Sequence, residues 1–238
     1  MVATDCDHTN PRVDSQVWIV VPAFNEAGSV GVVVSALRAR YAHVAVVDDG
    51  SDDRTGQEAM HAGAVVLRHI VNRGQGAALQ TGLEYALGAG AQFVVTFDSD
   101  GQHAVEDISA LLAPLVRGEA EIALGSRFLD STQTSIPFVR RAVLRAGIVF
   151  TRVTSGARVT DTHNGIRAFS REAATRLRIS MDRMAHASEL LDQVVAGGLR
   201  YVEVPVRIRY TAYSRQKGQR SSAAFRIALD YIIARVFG

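Results

Sequence analysis

Short runs of apolar, largely β-branched residues recur along the chain, and each stops at a polar or glycine-bearing cluster. Val17–Val21 (VWIVV) ends at Pro22-Ala23-Phe24-Asn25-Glu26, and Val44–Val47 ends at Asp48-Asp49-Gly50-Ser51. Ala64–Leu67 leads to Asn72-Arg73-Gly74-Gln75-Gly76-Ala77-Ala78-Leu79. Phe93–Phe97 (FVVTF) ends at Asp98-Ser99-Asp100-Gly101-Gln102-His103, and Ile122–Leu124 ends at Gly125-Ser126-Arg127-Phe128. Such runs read as buried strands covered on both faces. Between them the spacing is helical. Val30, Val33, Val34 and Leu37 share a face within Ala27–Arg40, and Ile108, Leu111, Leu112 and Leu115 share another. Asp52, Asp53 and Thr55 cap a helix through about His61, and one more runs to about Leu87. Strands alternating with helices predict βαβ units: an α/β protein with a Rossmann-like, mainly parallel sheet and helices on both faces.

Beyond Phe128 the pattern is weaker. Asp161–Phe169 reads as a turn-like polar cluster before a helix starting near Arg171. A later helix, roughly Ala185–Ala196, carries Glu189 and Asp192, and Tyr201–Val206 reads as a last strand. Phe225, Leu229, Ile232 and Val236 form one stripe of an amphipathic helix. The expected organisation is a disordered leader (1–16), a catalytic domain (17–210), and a basic loop with a C-terminal amphipathic helix (211–238).

Composition adds bounds. The 238 residues, 47% hydrophobic and 21% charged, suit an ordinary globular protein with a sizeable core. The net charge of +2 says little, but its distribution is uneven. Ile136–Val153 sets Arg140, Arg141, Arg145 and Arg152 among large apolar residues with no acid, and Arg207–Gly238 has seven basic residues against Asp230. These segments fit either surface helices with snorkelling arginines or helices lying on an anionic membrane. Their basic residues are interleaved with aliphatics rather than stacking aromatics, which argues against nucleic acid as a partner. The leader holds Asp5, Asp7 and Asp14 and lacks the apolar stretch of a signal peptide. A single cysteine, Cys6, points to the reducing cytosol. No apolar stretch approaches the ~18 residues of a membrane-spanning helix.

The chemistry concentrates at strand ends. Asp98 and Asp100 follow a buried strand, where open α/β sheets bind ligands, and two such carboxylates can hold Mg²⁺ or Mn²⁺. A capped strand-to-helix turn would explain the same residues, as it would Asp48 and Asp49. The Arg73–Ala78 stretch reads equally as a helix start with small residues for close packing. No G-x-G-x-x-G follows the first strand, which argues against a nicotinamide enzyme.

Taken together, the five motifs stand in the order seen in family-2 inverting glycosyltransferases. Over about Val17 to Tyr210 the chain most resembles the polyprenyl-phosphate glycosyltransferases, typified by dolichyl-phosphate mannose synthase. Each motif alone is weak; five in register after predicted strands are specific. The resemblance implies the glycosyltransferase A fold and a nucleotide-sugar donor, UDP- or GDP-linked. It implies that Pro22, Ala23, Asn25, Glu26, Asp48 and Asp49 contact base and ribose, with Gly74, Ala78 and Asp98 on the nucleotide side. It also implies that Asp98, Asp100 and Gln102 hold Mg²⁺ or Mn²⁺ against the diphosphate.

The acceptor decides what else is needed. A lipid phosphate is already anionic and needs positive charge, for which Arg127, Arg140, Arg141 and Arg167 are candidates. A saccharide hydroxyl needs a carboxylate base, with Asp161 the first choice and Glu189 next. Asp100, Asp161 and Arg127 are thus the expected catalytic group, and His103 and His163 are either supporting donors or ordinary turn histidines. Many such enzymes carry C-terminal transmembrane helices of their own. This sequence shows none, so the expectation is peripheral work at the inner, cytoplasmic face of the cell membrane, by direct docking or through a separate small membrane subunit. A catalytically idle nucleotide-binding module is the alternative from another class; the intact Asp98/Asp100/Gln102 set argues against it.

Overall fold

The computed structural model describes residues 15–129, 157, 159–162, 164–181 and 186–209. Arg140, Arg141 and the rest of Ile136–Val153, His163, the C-terminal stretch 211–238 and nearly all of the leader lie outside them.

Seven strands, β1 (Val17–Ala23), β2 (His43–Asp48), β3 (Val65–Arg68), β4 (Phe93–Thr96), β5 (Ile122–Ser126), β6 (Arg167–Ser170) and β7 (Tyr201–Pro205), form one sheet in the order β3-β2-β1-β4-β6-β5-β7. Helices α1 (Val30–Arg38), α2 (Thr55–His61), α3 (Gln75–Gly88), α4 (Asp107–Val116), α5 (Arg171–Arg176) and α6 (His186–Ala196) connect and cover it. Every pairing is parallel except those of β6, which runs antiparallel to both neighbours. The expected α/β, mainly parallel architecture is what the chain adopts.

Side-chain alternation along β1 explains the layers. Val17, Ile19 and Val21 pack on one face with α1 and α4, through Val30, Val34, Leu37, Ile108 and Leu111. Trp18 and Val20 point the other way and pack with α3 and α6, through Leu79, Leu83, Leu190 and Val194. The period of two in the strand and the 3.6-residue period in the helices meet across each face. Pro22 is tolerated in this central strand because Val20 is the last β1 residue paired with β4. Pro22 points toward that same side, where no ladder partner asks for its missing N–H.

Three details differ from the sequence expectation. β6 falls where a turn was expected, and it inserts Arg167 beside Thr96. β3 is a half-exposed edge strand rather than a buried one. The first helix begins at Val30, not Ala27, because the 25–28 backbone is bonded to the opposite loop. Among the described residues, no helix is long and apolar enough to cross a membrane.

Candidate active site

The carboxyl ends of β1 and β2 are stitched into one rim. Asn25, the sole non-glycine at positive φ among the described residues (54°), accepts the Asp52 N–H on Oδ1 and donates its own N–H to Ser51 Oγ. Glu26 N–H bonds Thr55 Oγ1 at 2.7 Å, Ala27 N–H bonds Asp53, and Gly28 N–H bonds Glu58 at 2.7 Å. Pro22 and Ala23 lie in register with Val47 and Asp48, and the Asp49 N–H closes the rim on the Ala23 carbonyl at 2.9 Å.

Asp48 and Asp49 are both buried, and each is used by the protein. Asp48 Oδ1 accepts the Ser51 N–H at 2.9 Å. Its Oδ2 lies 3.8 Å from Arg68 Nε and lacks a hydrogen-bond partner, roofed by Gly56, where a Cβ would come within 2.8 Å. Asp49 accepts backbone N–H groups from Arg73 (2.9 Å) and Gly74 (2.6 Å) and pairs with His69 Nδ1 (2.7 Å). His69 Nε2 in turn meets Thr81 Oγ1 at 3.0 Å. Gly74 has φ 97° and ψ 162°, a conformation essentially restricted to glycine, and it opens α3. Ala78, buried in the first turn of α3, bonds back to the Gly74 carbonyl. The two carboxylates expected at base and ribose are thus both buried and bonded to the loops that follow β2 and β3.

At the end of β4, Asp98 and Asp100 come together electrostatically. Asp98 accepts Gln75 Nε2 on Oδ1 (3.2 Å) and meets His103 Nε2 at Oδ2 (3.1 Å). Burial raises the Asp98 carboxyl, but the His103 hydrogen bond and the charges of His103, Arg167 and His186 outweigh it and hold the group below its usual value. Asp100 goes the other way: burial first, then the Asp98 charge, push it up. Gln102 donates its backbone N–H and Nε2 to the two Asp100 oxygens at 3.0 and 2.7 Å, leaving its amide oxygen as a further oxygen donor. Gly165 lies directly over Asp98, and a side chain there would collide with the carboxylate. Two adjacent carboxylates and an amide oxygen fit Mg²⁺ or Mn²⁺, which take one or two carboxylates and complete their shell with water and phosphate. Among the described residues no group of three His, Cys, Asp or Glu side chains converges, as an all-protein cage would require.

The β5–β6 side carries paired charges and is tightly braced. Arg127 grips Asp161 through Nε (2.6 Å), Nη2 (2.7 Å) and its backbone N–H (3.1 Å), and Asn164 Nδ2 adds a 3.4 Å contact. Burial raises the Asp161 carboxyl, but hydrogen bonds and charge from Arg127 hold it below its usual value. Arg167, buried on β6, feels both Asp98 and Asp161, and its burial pulls its own pKa down. Its Nη2 reaches the Thr162 carbonyl at 3.4 Å. Glu203 on β7 fixes the turn before Asp161, accepting Thr160 N–H (2.7 Å), Thr160 Oγ1–H (2.9 Å) and Asp161 N–H (3.2 Å). Glu189, the second base candidate, binds the backbone of Ser180 and Met181 with its carboxylate. Gln75, Asn164, Gly165, His186 and Glu203 were given no role from sequence, although Gln75 lies in the motif before α3, Asn164 and Gly165 lie in the 161–169 polar cluster, and Glu203 is an acid inside the apolar strand YVEVP.

A sheet of this order, with a carboxylate pair at the end of β4 and an antiparallel β6 braced beside it, is the glycosyltransferase A architecture. Residues 18–178 match the glycosyl transferase family 2. The chain is 31% identical over 235 residues to UDP-N-acetylglucosamine–dolichyl-phosphate N-acetylglucosaminyltransferase of Methanococcus voltae, covering 90% of this chain and 94% of that relative. It is 28% identical over 237 residues to polyprenol monophosphomannose synthase of Mycolicibacterium smegmatis, covering 93% and 89%. The crystal structure of glucosyl-3-phosphoglycerate synthase from Mycobacterium tuberculosis in complex with Mg²⁺ and UDP shares the fold, with TM-score 0.63 at 22% identity over 93% of this chain and 82% of that one. The chain belongs to glycosyl transferase family 2 and is a glycosyltransferase with polyprenyl-phosphate sugar transferases among its relatives.

Proposed function

We propose that this glycosyltransferase moves a sugar, with inversion, from a UDP- or GDP-linked donor to a polyprenyl phosphate at the cytoplasmic face of the membrane. The observation that carries the choice of acceptor is the Arg127–Asp161 pair. A hydroxyl acceptor needs a base with a pKa near the working pH. Asp161 has both oxygens engaged by Arg127 and is held below the ordinary carboxylate range, and Glu189 is spent on a turn. An acceptor phosphate needs no base. What it needs is cationic hydrogen-bond donors beside the donor site, for which buried Arg167, and Arg127 held in direction by Asp161, are the described candidates. Asp161 orients Arg127 in this reading, and Asp48 and Asp49 shape the nucleotide side by fixing the 51–56 and 69–74 loops.

Asp98, Asp100 and the Gln102 amide oxygen would hold Mg²⁺ or Mn²⁺. When bound, that ion supplies neutralising charge to the departing nucleoside diphosphate. The membrane location follows from the acceptor, a lipid, and from the acceptors named in the relatives. Incubation with labelled UDP- and GDP-sugars tests the proposal, with polyprenyl phosphate or a saccharide as acceptor. Label extracted into the organic phase is expected; label on the saccharide instead would favour the hydroxyl reading.

A further inference from the structure

Beyond β7 the chain turns back onto the loop that carries Gln102. Val206 N–H still bonds Ser126 on the β5 side. Arg207 then grips Asp107, the first residue of α4, through its backbone N–H (2.7 Å), Nε (3.1 Å) and Nη2 (2.9 Å). Ile208, buried, forms an antiparallel bridge with His103, and the Arg209 N–H bonds the Gln102 carbonyl at 2.8 Å. Ile208 and Arg209 thus fasten the loop whose side chains touch Asp98 (His103) and Asp100 (Gln102), and Arg207 ties the same strap to the helix that follows that loop.

We propose that Arg207, through Asp107, is a positioning residue for the divalent-cation site: it anchors the 207–209 strap that sets the 102–103 loop. This rests on the reading of Asp98, Asp100 and Gln102 as the metal site. None of the strap side chains is a ligand. The strap acts through Arg209, whose N–H meets the carbonyl of Gln102, one layer out from the site; partners in that layer typically change metal affinity 10- to 100-fold when removed. Arg207 is suited to this because its planar guanidinium fixes direction as well as charge. Coupling runs both ways: a strap that favours the bound loop geometry is itself made firmer by the ion.

The test uses the full chain with Mn²⁺ and UDP or GDP. Mn²⁺ affinity is read by electron paramagnetic resonance, and exchange of the Arg209 amide is followed by hydrogen–deuterium exchange. In the wild type, Mn²⁺ with nucleotide should slow exchange at Arg209. Arg207→Met should weaken Mn²⁺ binding about tenfold or more and abolish that slowing, and Arg207→Lys should restore part of both. Glu121→Gln removes the comparable Arg200 pair at the other end of β7 and should leave Mn²⁺ affinity unchanged. Unchanged Mn²⁺ affinity in folded Arg207→Met would overturn the proposal, as would an equal loss in Glu121→Gln. Should Arg207→Met fail to fold, the wild-type exchange decides alone: no change at Arg209 on Mn²⁺ binding overturns it. A wild type that binds nucleotide but no Mn²⁺ would instead overturn the metal reading, and this inference with it.

Discussion

Arg127 and Asp161 meet as a two-pronged, buried pair, with Nε to Oδ2 at 2.6 Å and Nη2 to Oδ1 at 2.7 Å, although 34 positions separate them in the chain. They join the end of β5 to the turn that precedes β6. Removing one member of a buried pair costs about 3–5 kcal/mol, because the other charge is left without compensation. Asp161→Asn should therefore lower thermal stability at neutral pH and reduce transfer. Replacing both residues with apolar ones of similar size should recover stability without recovering activity. Calorimetry alongside a transfer assay checks both.

The same pair sets a pH dependence. Asp161 is held below its usual value in the folded protein. Its contribution is therefore fully present above the unfolded carboxylate pKa of about 3.9 and is lost as pH falls through the folded value. Melting temperature plotted against pH should drop on that acid side. The drop should be shallower in Asp161→Asn, which has no proton to take up at this position.

Gly165 offers a test of the metal site that leaves every proposed ligand chemically unaltered. A Cβ there would overlap both Asp98 carboxylate oxygens, so Gly165→Ala must displace either the 164–166 segment or Asp98. Isothermal titration of UDP or GDP should show strong enhancement by Mn²⁺ in the wild type and little in Gly165→Ala or Asp100→Asn. Enhancement retained in both variants would count against Asp98 and Asp100 as ligands.

Asp49 and Gly74 make a further pair with a definite expectation. The carboxylate bonds the Gly74 N–H at 2.6 Å, and Gly74 holds a conformation costing other residues about 1–3 kcal/mol. Gly74→Ala should lose that stability and weaken nucleotide binding, because the start of α3 and Gln75 move with it. Asp49→Asn should do the same by weakening the two bonds the side chain accepts from the Arg73 and Gly74 N–H groups and the His69 contact. Nucleotide affinity unchanged in both would show that this wall is not part of the nucleotide side.

The strand-ending motifs were legible because burial imposes continuous apolar runs and the parallel layout puts their ends on one edge. That pattern pointed to Asp98 and Asp100 as a carboxylate pair at a strand end, and the family resemblance added Gln102. β6 could not: Arg167-Ala168-Phe169-Ser170 is four residues long, opens on an arginine and has no periodicity to read. Its place comes from non-local pairing with β4 and β5. The roles of Asp48, Asp49, Asp161 and Glu189 depended on partners 3 to 34 residues away, such as Ser51, Gly74, Arg127 and Ser180. A sequence motif names the carboxylate but not the donor it meets.

The most direct measurement compares polyprenyl phosphate with the unphosphorylated polyprenol as acceptor. Each is incubated with a productive labelled UDP- or GDP-sugar, in Mn²⁺ and in EDTA. If Arg127 and Arg167 receive an anionic nucleophile and no residue serves as base, label should enter the lipid phase with the phosphate and Mn²⁺ alone. Comparable transfer to the polyprenol, or transfer to the phosphate undiminished by EDTA, would contradict it.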